Sequence, residues 1–204
     1  MANSNNQEQE VKFYLADLAS FDERLRRMGA QQVHPRTFEA NLRFDTADGA
    51  LTQARQVLRL RQDEKTRLTF KGPAEPGQEV SVRAEIEFEV SSFANARAFL
   101  EALGYRVSVA YEKYRTTYKL ANVEVVLDEL PFGDFAEIEG PDGQAIQAAA
   151  AAMGLNWEAR CTDSYLGLFG LLRATQGLEA QNLTFQEVKQ KYPAEAFGLK
   201  PAEL

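Results

Sequence analysis

Charged and apolar side chains alternate at period two along much of the chain, interrupted by stretches with a helical period. Glu8 to Tyr14 alternates and predicts a strand. Ser20 reads as a helix cap, with Asp22 and Glu23 in the first turn and Gly29 ending the helix after Met28. Strands are expected near Thr37 to Asp45, Gln56 to Gln62 and Arg67 to Lys71, with Asp48-Gly49 as a turn between the first two. A loop follows from Gly72 to Gly77. The order then repeats. Val82 to Val90 alternates, Ser91 or Ser92 caps a helix through Leu103, and Gly104 terminates it. Further strands are expected near Val107 to Leu120, Val123 to Leu127 and Phe135 to Glu139. Glu10-Val-Lys-Phe13 also echoes Glu85-Ile-Glu-Phe88, so the pattern reads as two copies of a β-α-β-β-β unit. Two units supply about eight antiparallel strands, enough to close a barrel and remove its edges. The predicted fold class is α+β: an eight-stranded antiparallel β-barrel with flanking helices.

Beyond Gly143 an Ala-rich helix is expected over Gln144 to Met153, ending at Gly154, and another over Thr162 to Arg173. A short amphipathic stretch, Thr184 to Tyr192, precedes Pro193. This divides the chain into a barrel domain, residues 1–175, and a helical tail, residues 176–204.

Strand phase sorts the charges. Residues i and i+2 share a face, so Glu8, Glu10 and Lys12 point one way while Val11 and Phe13 point the other. Arg59 and Arg61 share a face, as do Lys113 with Arg115, and Glu137 with Glu139; Lys71 opposes Phe70. Arg83, Glu85, Glu87 and Glu89 share another, and Asp128 ends the strand before Glu137. An open sheet with one wet face gives the same alternation. Here, however, ionised residues recur in one phase on six segments, often as pairs of like sign. Like charges ~4 Å apart repel by about 1 kcal/mol in water and about 4 kcal/mol at an effective dielectric near 20. An enclosed face of this kind needs counter-charges. Carboxylate pairs suit Mg²⁺ or Mn²⁺, and Arg and Lys pairs suit phosphate oxygens. Both together fit a metal-chelated polyphosphate, whose chemistry depends on positioning and charge stabilisation.

Composition narrows the reading. At 204 residues, 45% hydrophobic and 26% charged, the chain suits one globular domain. No apolar run approaches the roughly 20 residues of a membrane span, and the first ten residues are polar, so a cytoplasmic location without membrane partners is expected. A single cysteine, Cys161, agrees with that and reads as a packed thiol. The net charge of −7 argues against a nucleic-acid partner, although one cleft can still concentrate positive charge.

Glu8-Gln-Glu10-Val-Lys12 resembles the ExExK signature of the CYTH, or triphosphate tunnel, superfamily of class IV adenylate cyclases, thiamine triphosphatases and inorganic triphosphatases. The likeness continues in order through Asn41-Leu-Arg-Phe-Asp-Thr46, Leu58-Arg-Leu-Arg61, Leu68-Thr-Phe-Lys71, Arg83-Ala-Glu85-Ile-Glu87, Lys113-Tyr-Arg115, Leu127-Asp128 and Gly133-Asp-Phe-Ala-Glu137-Ile-Glu139. It implies an eight-stranded tunnel binding a small-molecule triphosphate, such as tripolyphosphate or ATP, with two divalent metal ions. Lys12, Arg59, Arg61, Lys71, Arg83, Lys113 and Arg115 would hold the phosphates. Glu137 and Glu139, with Asp128 nearby, would hold one metal, and Glu8 and Glu10 the other. Glu85 and Glu87 line the tunnel. Arg43 replaces the family's Tyr and would either add a phosphate ligand or face solvent.

The reaction expected is hydrolysis of the terminal phosphate, with Glu8, Glu10 and Lys12 at the catalytic centre. The only histidine, His34, is expected in a surface loop. The alternative is class IV adenylate cyclisation, which Thr69-Phe-Lys-Gly-Pro73 resembles; against it, Ala2-Asn3 stands where characterised cyclases resemble His-Phe. Val57 replaces the Trp that animal thiamine triphosphatases stack on thiamine. A non-catalytic polyphosphate-binding module is the third reading, and a homodimer is compatible with helices on the barrel's outside.

Overall fold

The computed structural model describes residues 7–203. Ala2 and Asn3, used above to weigh the cyclase, lie outside the described residues. In chain order the first half comprises β1 (Gln7–Leu15), α1 (Leu18–Arg27), β2 (Gln31–Asp45), the short α2 (Ala50–Gln53), β3 (Val57–Gln62) and β4 (Thr66–Lys71). The second half comprises β5 (Ser81–Glu89), α3 (Phe93–Ala102), β6 (Arg106–Leu120), β7 (Val123–Leu130) and β8 (Gly133–Glu139). Then come α4 (Gly143–Ala152), the two-residue β9 (Arg160–Cys161) and α5 (Tyr165–Gln176).

Eight antiparallel strands run β5-β4-β3-β2-β6-β7-β8-β1, and β1 pairs back onto β5 to close a ring. Each half supplies one strand from before its first long helix and three from after it, but the first strands are exchanged in the ring, β5 pairing with β4 and β1 with β8. Closure satisfies the backbone groups that an open edge would expose.

Element starts moved where a nearer cap competes. α1 begins before Ser20 because the Asp17 carboxylate accepts the Ser20 N–H at 3.0 Å. α5 begins after Thr162 because Ser164 caps it, accepting the Gly167 N–H at 3.1 Å. β2 begins six residues ahead of Thr37, and its pairing with β6 shifts between His34 and Thr37, accommodating Pro35. His34 is therefore exposed on a strand and not in a loop. The Asp48-Gly49 turn forms, the Gly49 N–H donating to the Thr46 carbonyl at 3.1 Å, and the short α2 follows it, entered through Gly49 at φ 74°.

The molecule is built inside-out: charged side chains fill the ring and the apolar core lies on its outer faces. Val11, Phe13, Val125 and Ile138 of the strands pack against Phe21 and Leu25 of α1 and Ile146 and Ala150 of α4. Burying each such large side chain contributes about 1.5–3 kcal/mol. The approach of α4 is close enough that a Cβ on Gly140 would lie 2.9 Å from Ile146 Cγ1. A second cluster joins Tyr14, Phe132 and Phe135 to Phe169 and Leu172 of α5 and to Leu183 and Phe197 of the tail. α3 closes a third over Phe44 and Leu60.

The tail is not the helical unit expected. Apart from a 3-10 turn at Ala194–Phe197 it is irregular and tied down along its length. Leu183 exchanges main-chain bonds with Ala110 and Glu112, both 3.0 Å, and the Glu203 carboxylate accepts the N–H groups of Ala16 and Asp17 at 3.0 and 3.1 Å. Gly177, Pro193 and Gly198 interrupt any helical run. Among the described residues no helix is long and apolar enough to cross a membrane.

Candidate active site

The ring encloses a cavity of about 330 Å³. Lining it are eight cationic residues, Lys12, Arg43, Arg59, Arg61, Lys71, Arg83, Lys113 and Arg115, and seven carboxylates, Glu8, Glu10, Glu85, Glu87, Glu124, Glu137 and Glu139. All residues singled out in the sequence as tunnel residues are in this lining except Asp128. Register explains the convergence. Arg59 sits opposite Arg43 and Thr69, Lys71 opposite Glu85, Glu137 opposite Lys12, and Glu139 opposite Glu10.

Opposite charges compensate locally. Lys12 bonds Glu10 and lies 3.9 Å from Glu137. Burial alone would lower the Lys12 pKa, but Glu10 and Glu137 outweigh it and raise the pKa above the ordinary lysine value. Burial likewise pushes Glu10 up, whereas Lys12 and the neighbouring Glu137 carboxyl bring it well below the usual carboxylate range. Lys71 bonds Glu8 and lies 3.3 Å from Glu85. Arg59 donates to Tyr111 at 3.3 Å, to Thr69 at 3.1 Å and to Glu87 at 3.3 Å, while the Thr69 hydroxyl donates to Glu87 at 2.7 Å.

Asp128, expected near a metal, is fully buried behind the lining. Arg115 donates to both its oxygens at 2.7 and 2.6 Å, Lys113 donates to one at 2.9 Å, and so does the Tyr165 hydroxyl at 2.9 Å. Both of its oxygens thus accept from the cavity's cations or from Tyr165. Arg43 lines the cavity and does not project into solvent.

Two functional candidates were not found from the strand pattern. Glu39 is 3% exposed and lies 3.6 Å from Arg61, 3.6 Å from Lys113 and 3.8 Å from Arg115. It shares the phase of Asn41 and Arg43 on β2, a signal that was available. Tyr165 comes from α5, outside the strand code. Its hydroxyl is 2.9 Å from Asp128 and 3.3 Å from Glu137, and its ring centroid lies 5.4 Å from both the Lys12 and Lys113 ammonium groups.

The carboxylates suit a hard divalent cation. Glu8, Glu10, Glu137 and Glu139 line one cavity, and Glu139 has no ion-pair partner among the described residues. Desolvation by the surrounding protein raises the Glu139 pKa first, although the residue is partly exposed to solvent; repulsion from Glu8 and Glu137 adds to it, and the result is about 7. Among the described residues no three such ligands form a ready-made cage. Mg²⁺ is commonly held by one or two carboxylates together with substrate phosphate oxygens.

Comparison with known proteins gives the same fold. A candidate adenylate cyclase of Methanocaldococcus jannaschii is 26% identical over 134 residues, 65% of this chain and 75% of that protein. A solved structure of a candidate adenylate cyclase from Vibrio parahaemolyticus superposes with a TM-score of 0.70 at 23% identity, covering 80% of this chain and 97% of that one. A Hippeastrum protein, described as an adenylyl cyclase candidate with a dominant triphosphatase activity, superposes with a TM-score of 0.60 at 18% identity, covering 80% and 95%. The CYTH domain family model matches residues 6–158, and the chain belongs to the CYTH family.

Proposed function

We propose that this protein is a divalent-metal-dependent triphosphatase that removes the terminal phosphoryl group of inorganic triphosphate or a related organic triphosphate. The observation that carries the reading is the joint lining of one cavity by cations and carboxylates in nearly equal number. The cations alone do not offset a triphosphate, because carboxylates already compensate most of them. A polyanion therefore has to enter with metal counter-ions.

In this reading Lys12, Arg59, Arg61, Lys71, Arg83, Lys113 and Arg115 bind and orient the phosphoryl oxygens. Glu8 and Glu10, and Glu137 with Glu139, would hold Mg²⁺ or Mn²⁺. Such an ion, when bound, supplies charge neutralisation and lowers the pKa of a bound water toward about 7. Lys12 keeps its proton, because Glu10 and Glu137 stabilise the ammonium, and so acts as a fixed positive charge and not as a base. Asp128 and Tyr165 hold Arg115, Lys113 and Glu137 in position. The walls limit bulk water around the reacting phosphorus, which strengthens each of these interactions.

The names of the relatives favour adenylate cyclisation as the second reading. The lining argues for hydrolysis. Its side chains are mostly charged groups suited to phosphate oxygens and cations, and its two aromatic residues, Tyr111 and Tyr165, engage Arg59 and Asp128 with Glu137 through their hydroxyls. The deciding assay measures orthophosphate, pyrophosphate and cyclic AMP from tripolyphosphate and ATP, with Mg²⁺ and with Mn²⁺. Fast orthophosphate from tripolyphosphate with little cyclic AMP is expected, and Glu137→Gln should lose that turnover while staying folded. Cyclic AMP with stoichiometric pyrophosphate from ATP would replace the hydrolase with the cyclase.

A further inference from the structure

Eight large apolar side chains are exposed among the described residues, and the four most exposed come from two consecutive elements. They are Ile86 and Phe88 of β5, each 53% exposed, with Phe99 of α3 at 62% and Leu103 just after it at 60%. Strand phase explains the first two. Glu85 and Glu87 line the cavity, so Ile86 and Phe88 stand on the outer face. Across the ladder they meet the half-buried Phe70 and Leu68 of β4. Leu68 in turn packs against the cluster in which Leu100 of α3 meets Phe44 and Leu60. Phe99 and Leu103, four apart, share the flank of α3 beside Leu100. The outer face of β4 and β5 thus adjoins α3.

The other half of the ring shows what such a face requires. β1 opens that half as β5 opens this one, and its outer residues Val11, Phe13 and Leu15 are at most 1% exposed, packed against α1 and α4. Among the described residues nothing gives Ile86 and Phe88 the same cover. The helices differ accordingly. Five of the ten residues of α1 are charged, against two of ten in α3. Ala94, Ala98 and Ala102 of α3 are exposed as well, so apolar positions occupy most of its circumference, as in a helix covered on more than one side.

Charge selects the occupant. The chain carries a net charge of −7, so two copies repel overall. On this face that repulsion is absent. The outer positions of β4 and β5 are uncharged, and on α3 Arg97 donates to Glu101 at 2.8 Å and cancels it. Such a face holds nothing to attract a basic or an acidic partner, yet accepts a second copy. Its size is also sufficient. An aromatic side chain buries about 150–250 Å², so the four half-exposed residues present roughly 400 Å² per copy. Leu68, Phe70 and the alanines of α3 extend that toward the roughly 800 Å² per partner of a stable interface.

We propose that the outer face of β4 and β5, together with α3, is a homodimer interface, in which the Phe99 and Leu103 flank of each copy covers Ile86 and Phe88 of the other. A two-fold axis makes that contact reciprocal. The opposite face of β5 lines the cavity, so the interface backs the wall that carries Arg83, Glu85 and Glu87. The inference is independent of which reaction the cavity performs.

The test is sedimentation equilibrium of the full chain across micromolar concentrations. The wild-type mass should be twice 22.8 kDa. Phe99→Glu and Phe88→Glu should each weaken the dimer by about thirtyfold or more, the loss expected of an interface anchor, with unchanged far-ultraviolet circular dichroism. Phe38→Glu removes an exposed phenylalanine of β2, outside this surface, and should leave the dimer intact. If Phe88→Glu misfolds, Phe99→Glu decides alone, because its side chain already projects into water. A wild-type chain that is monomeric at every concentration overturns the proposal. So does a dimer that survives Phe99→Glu, since it would use another face. Binding of a monomeric wild-type chain to phosphatidylcholine vesicles, lost in Phe99→Glu, would assign the face to a lipid surface instead.

Discussion

Glu39 is buried among Arg61, Lys113 and Arg115, and its charge is what lets those three cations sit together. Burial pushes its pKa up, but Lys113, Arg115 and Arg61 draw it down from an ordinary 4.5 to about 2. The sign follows from linkage. A depressed carboxylate stabilises the folded state fully above its unfolded pKa and loses that contribution as pH falls through the folded one. Glu39→Gln should therefore cost roughly 3 kcal/mol at pH 7. That cost should vanish between about pH 4.5 and pH 2, read from denaturant unfolding across the range. Parallel stability curves for the two proteins over that interval would show that Glu39 is not the compensating charge. At this scale the strand code was legible for Glu10, Lys12 and the arginines, because each has an apolar neighbour in the alternation, and Glu8 follows from its phase with Glu10. Glu39 and Asn41 alternate with Phe38, Ala40 and Leu42 on β2 in the same way, but neither belongs to a like-charged pair of the kind that marks the other strands.

Tyr165 links α5 to the barrel through one hydroxyl shared by Asp128 and Glu137. Tyr165→Phe keeps the ring beside Lys12 and Lys113 and removes only that hydroxyl. It should lower stability by about 1–3 kcal/mol, since it strips a bond from buried charges. It should also raise the Mg²⁺ concentration needed for half-maximal activity by loosening Glu137. An unchanged Mg²⁺ requirement, with the stability loss alone, would make the hydroxyl purely structural. The order and type of the strands and most helices could be read locally, because period and caps are local properties. Starts could not always be. Asp17 outcompeted Ser20 as a cap, and Ser164 set the beginning of α5. The tail's amphipathic stretch does not form a helix; Val188 packs in the cluster that contains α5, and Phe185 lies against Tyr114 of β6.

At the scale of the molecule, a cavity with balanced charge should respond cooperatively to its ligands. In thermal melts, Mg²⁺ alone should shift the transition little, because Lys12 and Lys71 already engage Glu10 and Glu8. Tripolyphosphate alone should also shift it little, because most cations are paired. Together they should raise the melting temperature by more than the sum of the separate shifts, as differential binding to the folded state requires. Additive shifts would contradict joint entry. The amino-acid pattern was enough to settle which residues share a face, that two β-α-β-β-β halves follow one another, and that like charges recur in one phase, since each depends on neighbours within a few positions. Ring closure through β1 and β5 decided that this face is the inside. The same closure buried Asp128 behind the wall, left Arg43 without a carboxylate and brought Tyr165 in from a helix outside the ring. Those outcomes depend on pairings between residues up to a hundred or more positions apart, and no local period encodes them.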